Sequence, residues 1–160
     1  MGQRAKYFDI FKCILFVLFS SWILLQFLAP IFLPEDSIRD LSGHVAIYDN
    51  KDIINNMNFP WNFVYSIGDI LCHQKADRSF FINGNQMSFC SRCTGIWLGL
   101  TVGLGIMVFY MLKLDEKILF FIILGIIPLG IDGLGQLAGL WESINLTRLI
   151  TSILAGLFAA

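Results

Sequence analysis

Long apolar runs alternate with shorter polar stretches along this chain. The runs cover residues 10–33, 94–112, 118–140 and 146–160. A helix needs about 20 apolar residues to cross the hydrocarbon core of a bilayer, and the first three runs supply them. The fourth is short, because as a helix it spans only about 22 Å of a core of roughly 30 Å. The pattern predicts an all-α polytopic membrane protein of about four transmembrane helices, as one membrane domain over residues 1–160.

A long polar loop, residues 34–93, separates the first two spans. Within it, Trp61 to Leu71 places apolar and aromatic residues at helical spacing, which predicts a short amphipathic helix at the membrane interface. The following stretch, Phe80 to Phe89, is predicted to be an irregular connection with a turn at Asn83-Gly84. A second polar turn is expected at residues 113–117, between the second and third spans.

Glycines recur at intervals of four within the spans. Gly95, Gly99 and Gly103 line one face of the second span, and Gly135 and Gly139 repeat the spacing in the third. Such a strip lets another helix approach closely. The glycines therefore predict tight helix packing, either within the chain or between the chains of a homo-oligomer.

The composition supports a membrane protein. Of the 160 residues 56% are hydrophobic and only 14% are charged, and the mean hydropathy is +0.70. A soluble domain carries roughly 25% charged residues. The composition excludes a disordered chain and a disulfide-rich secreted module. With a net charge of −1, no basic surface for nucleic acid is expected, and the expected partner is the lipid bilayer.

Basic residues indicate the orientation in the cell membrane. Arg4, Lys6 and Lys12 precede or open the first span, and two lysines lie in the 113–117 turn. Positive residues favour the cytoplasmic side, so the N-terminus is expected in the cytoplasm and residues 34–91 on the outer face. The first run is longer than the apolar core of a typical signal peptide, which favours an uncleaved anchor.

Three of the four cysteines and one of the two histidines lie close together in sequence. Cys90 and Cys93 form a C-x-x-C motif at the mouth of the second span, and Cys72 and His73 end the predicted interfacial helix. Sulfur and imidazole are ligands that zinc prefers in tetrahedral sites. The sequence thus predicts one zinc or other divalent metal ion bound by these four residues. Asp69, one helical turn before His73, is predicted to fix its tautomer.

Two other interpretations of the cysteines stay open. A C-x-x-C motif at a helix N-terminus has a lowered thiol pKa, which suits thiol–disulfide chemistry at Cys90 and Cys93. Alternatively, the cysteines are small packing residues. Cys13, inside the first span, is expected to pack, and His44 is expected to be solvated and serves as a reserve ligand.

Polar residues inside the spans provide a second candidate site. Asp132 and Gln136 lie on one face of the third span, and Arg148 follows Glu142 near the start of the fourth. A charge within a span costs several kcal/mol unless it faces a partner or a cavity. An Asp132–Arg148 ion pair and an Arg148–Glu142 pair are the structural interpretations, and catalysis or anion binding is the functional one. Chain topology places this group and the cysteines toward the same membrane face.

Two blocks of residues resemble a prokaryotic membrane family known as domain of unknown function 2085 (DUF2085). The first block comprises Gly68-Asp69, Cys72-His73-Gln74, Arg78-Ser79, Gly84, Gln86-Met87, Cys90, Arg92-Cys93-Thr94-Gly95-Ile96 and Gly99. The second comprises Pro128, Asp132-Gly133, Gln136, Gly139, Glu142-Ser143, Asn145, Arg148 and Thr151. The resemblance implies a multi-pass membrane protein, and it implies no particular reaction.

The leading functional hypothesis is a metal-binding membrane protein. If it is an enzyme, the expected reaction class is metal-assisted hydrolysis or group transfer on a lipid-borne substrate. Asp132 and Arg148 are the hypothetical catalytic residues. The candidate ligand-binding residues are Asp69, Gln74, Arg78, Arg92, Gln136 and Glu142. The alternatives are a thiol–disulfide redox protein that uses Cys90 and Cys93, and a scaffold or accessory subunit without enzymatic activity.

Overall fold

The computed structural model describes residues 2–110 and 116–160, and this part of the chain is mostly helical. Most of the predicted 113–117 turn lies outside the described residues. The elements are α1 (Gly2–Phe32), α2 (Lys51–Ile54), α3 (Trp61–Leu71), a 3-10 turn (Ala76–Arg78), β1 (Ser79–Ile82), β2 (Asn85–Cys90), α4 (Ser91–Phe109), α5 (Glu116–Leu137) and α6 (Asn145–Ala159).

Three of the described helices are long and apolar enough to cross a membrane. The candidate spans are Asp9–Phe32 within α1, Ser91–Phe109 in α4 and Leu119–Leu137 within α5. The fourth predicted span corresponds to α6, a shorter apolar helix of 15 residues. The prediction of a helical membrane protein is confirmed, and its count of about four spans is approximate.

Two compact units divide the chain. The helical unit comprises Met1–Ile23 and Gly95–Ala160, and the loop unit comprises Leu24–Thr94. The loop unit therefore contains the C-terminal end of α1, the polar loop with its hairpin, and the first turn of α4.

In the helical unit, the glycines of α4 face α6, as the sequence predicts. A Cβ at Gly99 would overlap the backbone of Ile153 and Gly156, and one at Gly95 would overlap Ser152. Gly156 in turn faces the backbone of α4 at Ile96. Since Gly99 and Gly156 have no side chains, the two backbones approach closely there, and α6 of the same chain covers the strip.

Gly135 and Gly139 do not form the predicted helix-packing strip. The ring of Trp141 lies against Gly135, where a Cβ would meet its carbon atoms. Gly139 has a φ of +68° and ends the helix. The N–H of Leu140 donates to Gly135 and that of Gly139 donates to Gln136, which is a Schellman motif. These glycines therefore reverse the chain after α5.

The loop unit contains a β-hairpin that the sequence analysis wrongly predicted to be an irregular connection. β1 and β2 pair antiparallel, with Phe81 opposite Gln86 and Ile82 opposite Asn85. The predicted Asn83-Gly84 turn is confirmed, with positive φ at both residues, as a two-residue hairpin of this type requires. All six residues of β2 are buried, although Asn85, Gln86 and Ser88 are polar, so the sequence of this strand resembles that of a surface loop.

The predicted helix from Trp61 to Leu71 is confirmed as α3. Its buried face carries Val64 and Tyr65, which lie among the core residues of the loop unit. That core also includes Leu41, Ile54, Met87 and Phe89. The opposite face of α3 exposes Phe63 and Ile70, which is the arrangement expected of an interfacial helix.

Candidate metal centre

The three cysteines lie at or near the ends of three different elements. Cys72 caps α3, Cys90 is the last residue of β2, and Cys93 lies in the first turn of α4. The backbone of Cys72 is extended, with φ −137° and ψ 145°. Its side chain therefore leaves the helical direction and is free to point toward the other thiols.

The three sulfur atoms converge. The Sγ atoms of Cys72, Cys90 and Cys93 all lie within 4.8 Å of one another. Two sulfurs bound to one tetrahedral zinc ion at 2.3 Å each are about 3.8 Å apart. A small adjustment of the side chains would therefore place all three on one ion. Among the described residues, this is the single group of three or more such ligands that meet at one point.

Hydrogen bonds within the group favour a thiolate at Cys90. Hydrogen bonds from the Cys72 and Cys93 thiols lower the pKa of Cys90, although its burial opposes this. The pKa of Cys72 is raised, chiefly because its thiol donates to Cys90. The backbone N–H of Cys90 lies 3.4 Å from the Cys72 sulfur as a donor. The arrangement thus holds negative charge on sulfur, as metal binding requires.

Side chains rather than a wider sheet fix β2 beside Cys72. The Tyr65 hydroxyl donates to the Gln86 carbonyl at 2.6 Å, and Gln74 Nε2 donates to the Ser88 carbonyl at 2.7 Å. Gly68 lies directly beneath, since a Cβ there would overlap the Ser88 carbonyl. α3 and β2 therefore approach closely, and this approach brings Cys90 to Cys72.

His73 does not join the three thiols, in contrast to the predicted four-ligand site. Its Nδ1 accepts a hydrogen bond from the Lys75 N–H at 3.1 Å. A neutral imidazole that accepts at Nδ1 carries its proton on Nε2, so neither nitrogen offers a lone pair to an ion.

The predicted pairing of Asp69 with His73 is not found. The Asp69 carboxylate is buried and accepts from Asn50, from the backbone N–H at 3.1 Å and from Nδ2 at 2.6 Å. Asp69 therefore anchors the loop before α2 to α3. The sequence does not identify Asn50 as the partner of Asp69, because the two residues are 19 positions apart and Asn50 lies in a stretch without periodicity.

Arg78 and Arg92, which lie near the cysteines in sequence, belong to different elements. Arg78 lies in the 3-10 turn, with its Nε 3.5 Å from Asp77, and its carbonyl accepts from Ser91 Oγ at 2.7 Å. Arg92 is half-buried in the first turn of α4. Both belong to the loop unit, whereas Arg148, for which anion binding is also predicted, belongs to the helical unit.

The second predicted site forms a hydrogen-bonded group in the helical unit. Gln136 Nε2 donates to Asp132 at 3.0 Å, and Gln136 Oε1 accepts from Arg148 at 3.3 Å. Ser143 Oγ also donates to Asp132, and Asn145 Oδ1 accepts from Arg148. Gln136 therefore connects the buried Asp132 carboxylate to the buried Arg148 guanidinium. Glu142 is exposed on the turn.

Cys13 and His44 were singled out as residues outside the sites. His44 is exposed and pairs with Asp49 at 3.1 Å, which agrees with a solvated residue. Cys13 was expected to pack inside the first span, and this is wrong, because its side chain is exposed on α1. In a membrane-spanning helix, an exposed small apolar residue is compatible with lipid.

Comparison with known proteins identifies a family whose model matches the cysteine-containing part of the chain. The model of the family described as "Predicted membrane protein (DUF2085)" matches residues 72–160, which include all three converging thiols. An uncharacterised protein of Methanocaldococcus jannaschii is 42% identical over 102 residues, which are 60% of this chain and 65% of that relative. The chain thus spans about two thirds of the length of this relative.

A second relative is similar over a shorter segment. An uncharacterised protein of Methanothermobacter thermautotrophicus is 37% identical over 87 residues, 54% of this chain and 78% of its own length. No solved structure matches the chain.

Proposed function

The chain belongs to the DUF2085 family of membrane proteins, and we propose that it binds one soft metal ion through Cys72, Cys90 and Cys93. The convergence of three sulfurs within 4.8 Å supports the proposal. Thiolates select zinc, Cu(I) and iron–sulfur centres over the hard cations. Zinc is the leading candidate because it accepts three protein ligands in a tetrahedral site.

Burial favours a metal over the thiol–disulfide alternative. Of the redox pair Cys90 and Cys93, Cys90 is only 3% exposed and Cys93 is half-buried, and a redox-active thiol must be reached by its partner disulfide. A redox pair also needs only two cysteines, whereas three meet here. Packing alone does not require three sulfurs to share one point, since apolar side chains fill such space equally well.

Metal-assisted hydrolysis or group transfer is the reaction class that we propose for such an ion. The metal would supply Lewis acidity, and Arg78 and Arg92 of the same unit would hold an anionic group of the substrate. A chain that belongs to a membrane protein family meets lipid-borne substrates at the interface. A role as a scaffold without enzymatic activity remains the alternative at this level.

Metal analysis of the detergent-purified chain tests the proposal. We expect about one equivalent of metal per wild-type chain after anaerobic purification, and its loss in Cys72→Ala, Cys90→Ala and Cys93→Ala. Cys13→Ala is the matched control, because it removes an exposed thiol far along the sequence from the three. Its metal content should equal that of the wild type.

The other outcomes decide between the alternatives. Metal-free protein with a reducible Cys90–Cys93 disulfide would overturn the metal proposal and establish the redox function. Metal-free protein with three unreactive thiols would overturn both in favour of a scaffold. Retention of full metal in Cys72→Ala would contradict the three-ligand site.

For the Asp132 group we propose a structural role in the helical unit. The hydrogen bonds described above for Asp132, Gln136 and Arg148 lie within α5, within α6, between these two helices, or between α5 and the turn that joins them. Buried charges that are paired and hydrogen-bonded in this way stabilise one arrangement of helices. The catalytic roles expected for Asp132 and Arg148 remain hypotheses.

A further inference from the structure

Two buried polar atoms close to the thiols have no hydrogen-bond partner within the described part of the chain. They are Gln74 Oε1 and Ser88 Oγ, and the side chains of both residues are fully buried. A buried acceptor or hydroxyl without a partner costs about 1–3 kcal/mol. A native protein usually satisfies such atoms with water or a ligand.

Gln74 and Ser88 lie next to the thiol cysteines in sequence. Gln74 follows Cys72 by two residues, and Ser88 precedes Cys90 by two. Two bonds tie these segments together: Gln74 Nε2 to the Ser88 carbonyl, and the Cys90 N–H to the Cys72 sulfur. Alternate residues of a strand share a face, so Ser88 and Cys90 project to the same side of β2, about 7 Å apart along the strand.

The fourth position of a tetrahedral ion needs an occupant that the described side chains do not provide. His73 is not part of the converging group, and its Nδ1 accepts from the Lys75 N–H. Asp69 accepts from Asn50 with both oxygens. Three protein ligands with an open fourth position are the arrangement of catalytic zinc sites.

We propose that a water molecule bound to the metal fills this position and donates its hydrogens to Gln74 Oε1 and Ser88 Oγ. The inference rests on the proposed metal site. A metal-bound water uses its lone pair on the ion and keeps two hydrogens to donate, and the two unpartnered atoms are both acceptors. One molecule therefore completes the coordination and satisfies the two buried oxygens.

The same position sets the class of ligand that can replace the water. Three thiolates and one divalent ion carry a net charge of −1, so an anion is disfavoured as the fourth ligand on the ion itself, whatever anionic group Arg78 and Arg92 hold. Gln74 and Ser88 are neutral and offer hydrogen bonds only. The fourth position therefore takes a small neutral donor, such as an alcohol or an imidazole nitrogen, in preference to phosphate or chloride.

Cobalt substitution of the full chain in detergent tests this. The thiolate-to-cobalt charge-transfer band reports the bound sulfurs, and the d–d bands report the fourth ligand. We expect imidazole to shift the d–d bands saturably while the charge-transfer intensity stays constant. Sodium chloride at equal concentration and ionic strength is the control and should leave the bands unchanged.

Two variants test the residues that hold the water. Gln74→Leu removes one acceptor, and Ser88→Ala removes the other while keeping the backbone carbonyl that Gln74 binds. We expect each to weaken cobalt affinity about ten- to a hundredfold, as loss of such outer partners does. Ser88→Ala keeps the test valid if Gln74→Leu misfolds. His73→Ala should leave the d–d bands in place.

The failure of each proposal has its own signature. A charge-transfer band with no response to imidazole, together with a d–d shift in His73→Ala, would make His73 the fourth ligand and overturn the water. Unchanged cobalt affinity in Ser88→Ala and Gln74→Leu would also overturn it. Absence of the charge-transfer band in the wild type would instead overturn the metal site itself.

Discussion

Gly68 is the residue on which the approach of α3 and β2 depends most directly. A Cβ at this position would overlap the Ser88 carbonyl and meet Gln74 Nε2 at 2.8 Å. We predict that Gly68→Ala destabilises the protein by about 1–3 kcal/mol, because overpacking forces backbone shifts of that cost. It should also lower metal content, since Cys72 and Cys90 would separate. Thermal unfolding in detergent and metal analysis measure both effects.

Gly130→Ala is the matched control for this prediction. Gly130 also lies in a helix, and nothing lies within 4 Å of the position that its Cβ would take. Alanine is the better helix former by about 1 kcal/mol, so this variant should be neutral or stabilised. Equal behaviour of the two variants would contradict the close approach at Gly68.

The thiols were predictable at the residue scale, and their partners were not. The C-x-x-C spacing identifies Cys90 and Cys93, and the small number of cysteines makes Cys72 the natural third ligand. His73 is adjacent to Cys72 and looks equally suitable in sequence. Its tautomer depends on the backbone N–H of Lys75, and that contact exists only after the chain has folded.

At the scale of elements, the junction of α5 and α6 carries the second prediction. Gln136→Leu would remove the amide N–H that donates to Asp132 and the amide oxygen that accepts from Arg148. Because hydrogen bonds to charged groups contribute about 1.5–3 kcal/mol each, we expect a loss of about 3 kcal/mol or more. Unfolding in mixed micelles by added denaturing detergent measures it.

Leu134→Ala serves as the comparison for this junction. Leu134 lies two residues before Gln136 and is 68% exposed, so its truncation should change stability little. If Gln136→Leu were as stable as Leu134→Ala, the amide would not connect the two charges in the folded protein.

Periodicity predicted the helices and failed at the hairpin for a physical reason. The spans and α3 carry long apolar runs or an amphipathic repeat, which the sequence displays directly. β2 buries Asn85, Gln86 and Ser88, polar residues that would be assigned to a surface loop. Their amides bind backbone instead: the N–H of Ile38 donates to Asn85, and that of Leu41 donates to Gln86. Such pairings join positions more than 40 residues apart and leave no local signal.

At the scale of the whole molecule, the orientation in the membrane is the prediction to test. We expect residues 34–91 outside the cell and the N-terminus and the 113–117 turn inside. Asp52→Cys places a thiol at an exposed position of the loop unit, and a membrane-impermeant maleimide added to intact cells should label it. Lys113→Cys should react only in inverted vesicles. The reverse pattern would mean the opposite orientation.

The three sulfurs also bear on how the chain folds. Cys72 and Cys90 are 18 residues apart, and the hairpin lies between them. An ion that joins them would act as a reversible cross-link, and closing a loop of about 15 residues removes roughly 3 kcal/mol of chain entropy from the unfolded ensemble. A chelator would therefore release this constraint, and the hairpin would be the segment whose amide hydrogens begin to exchange with solvent first.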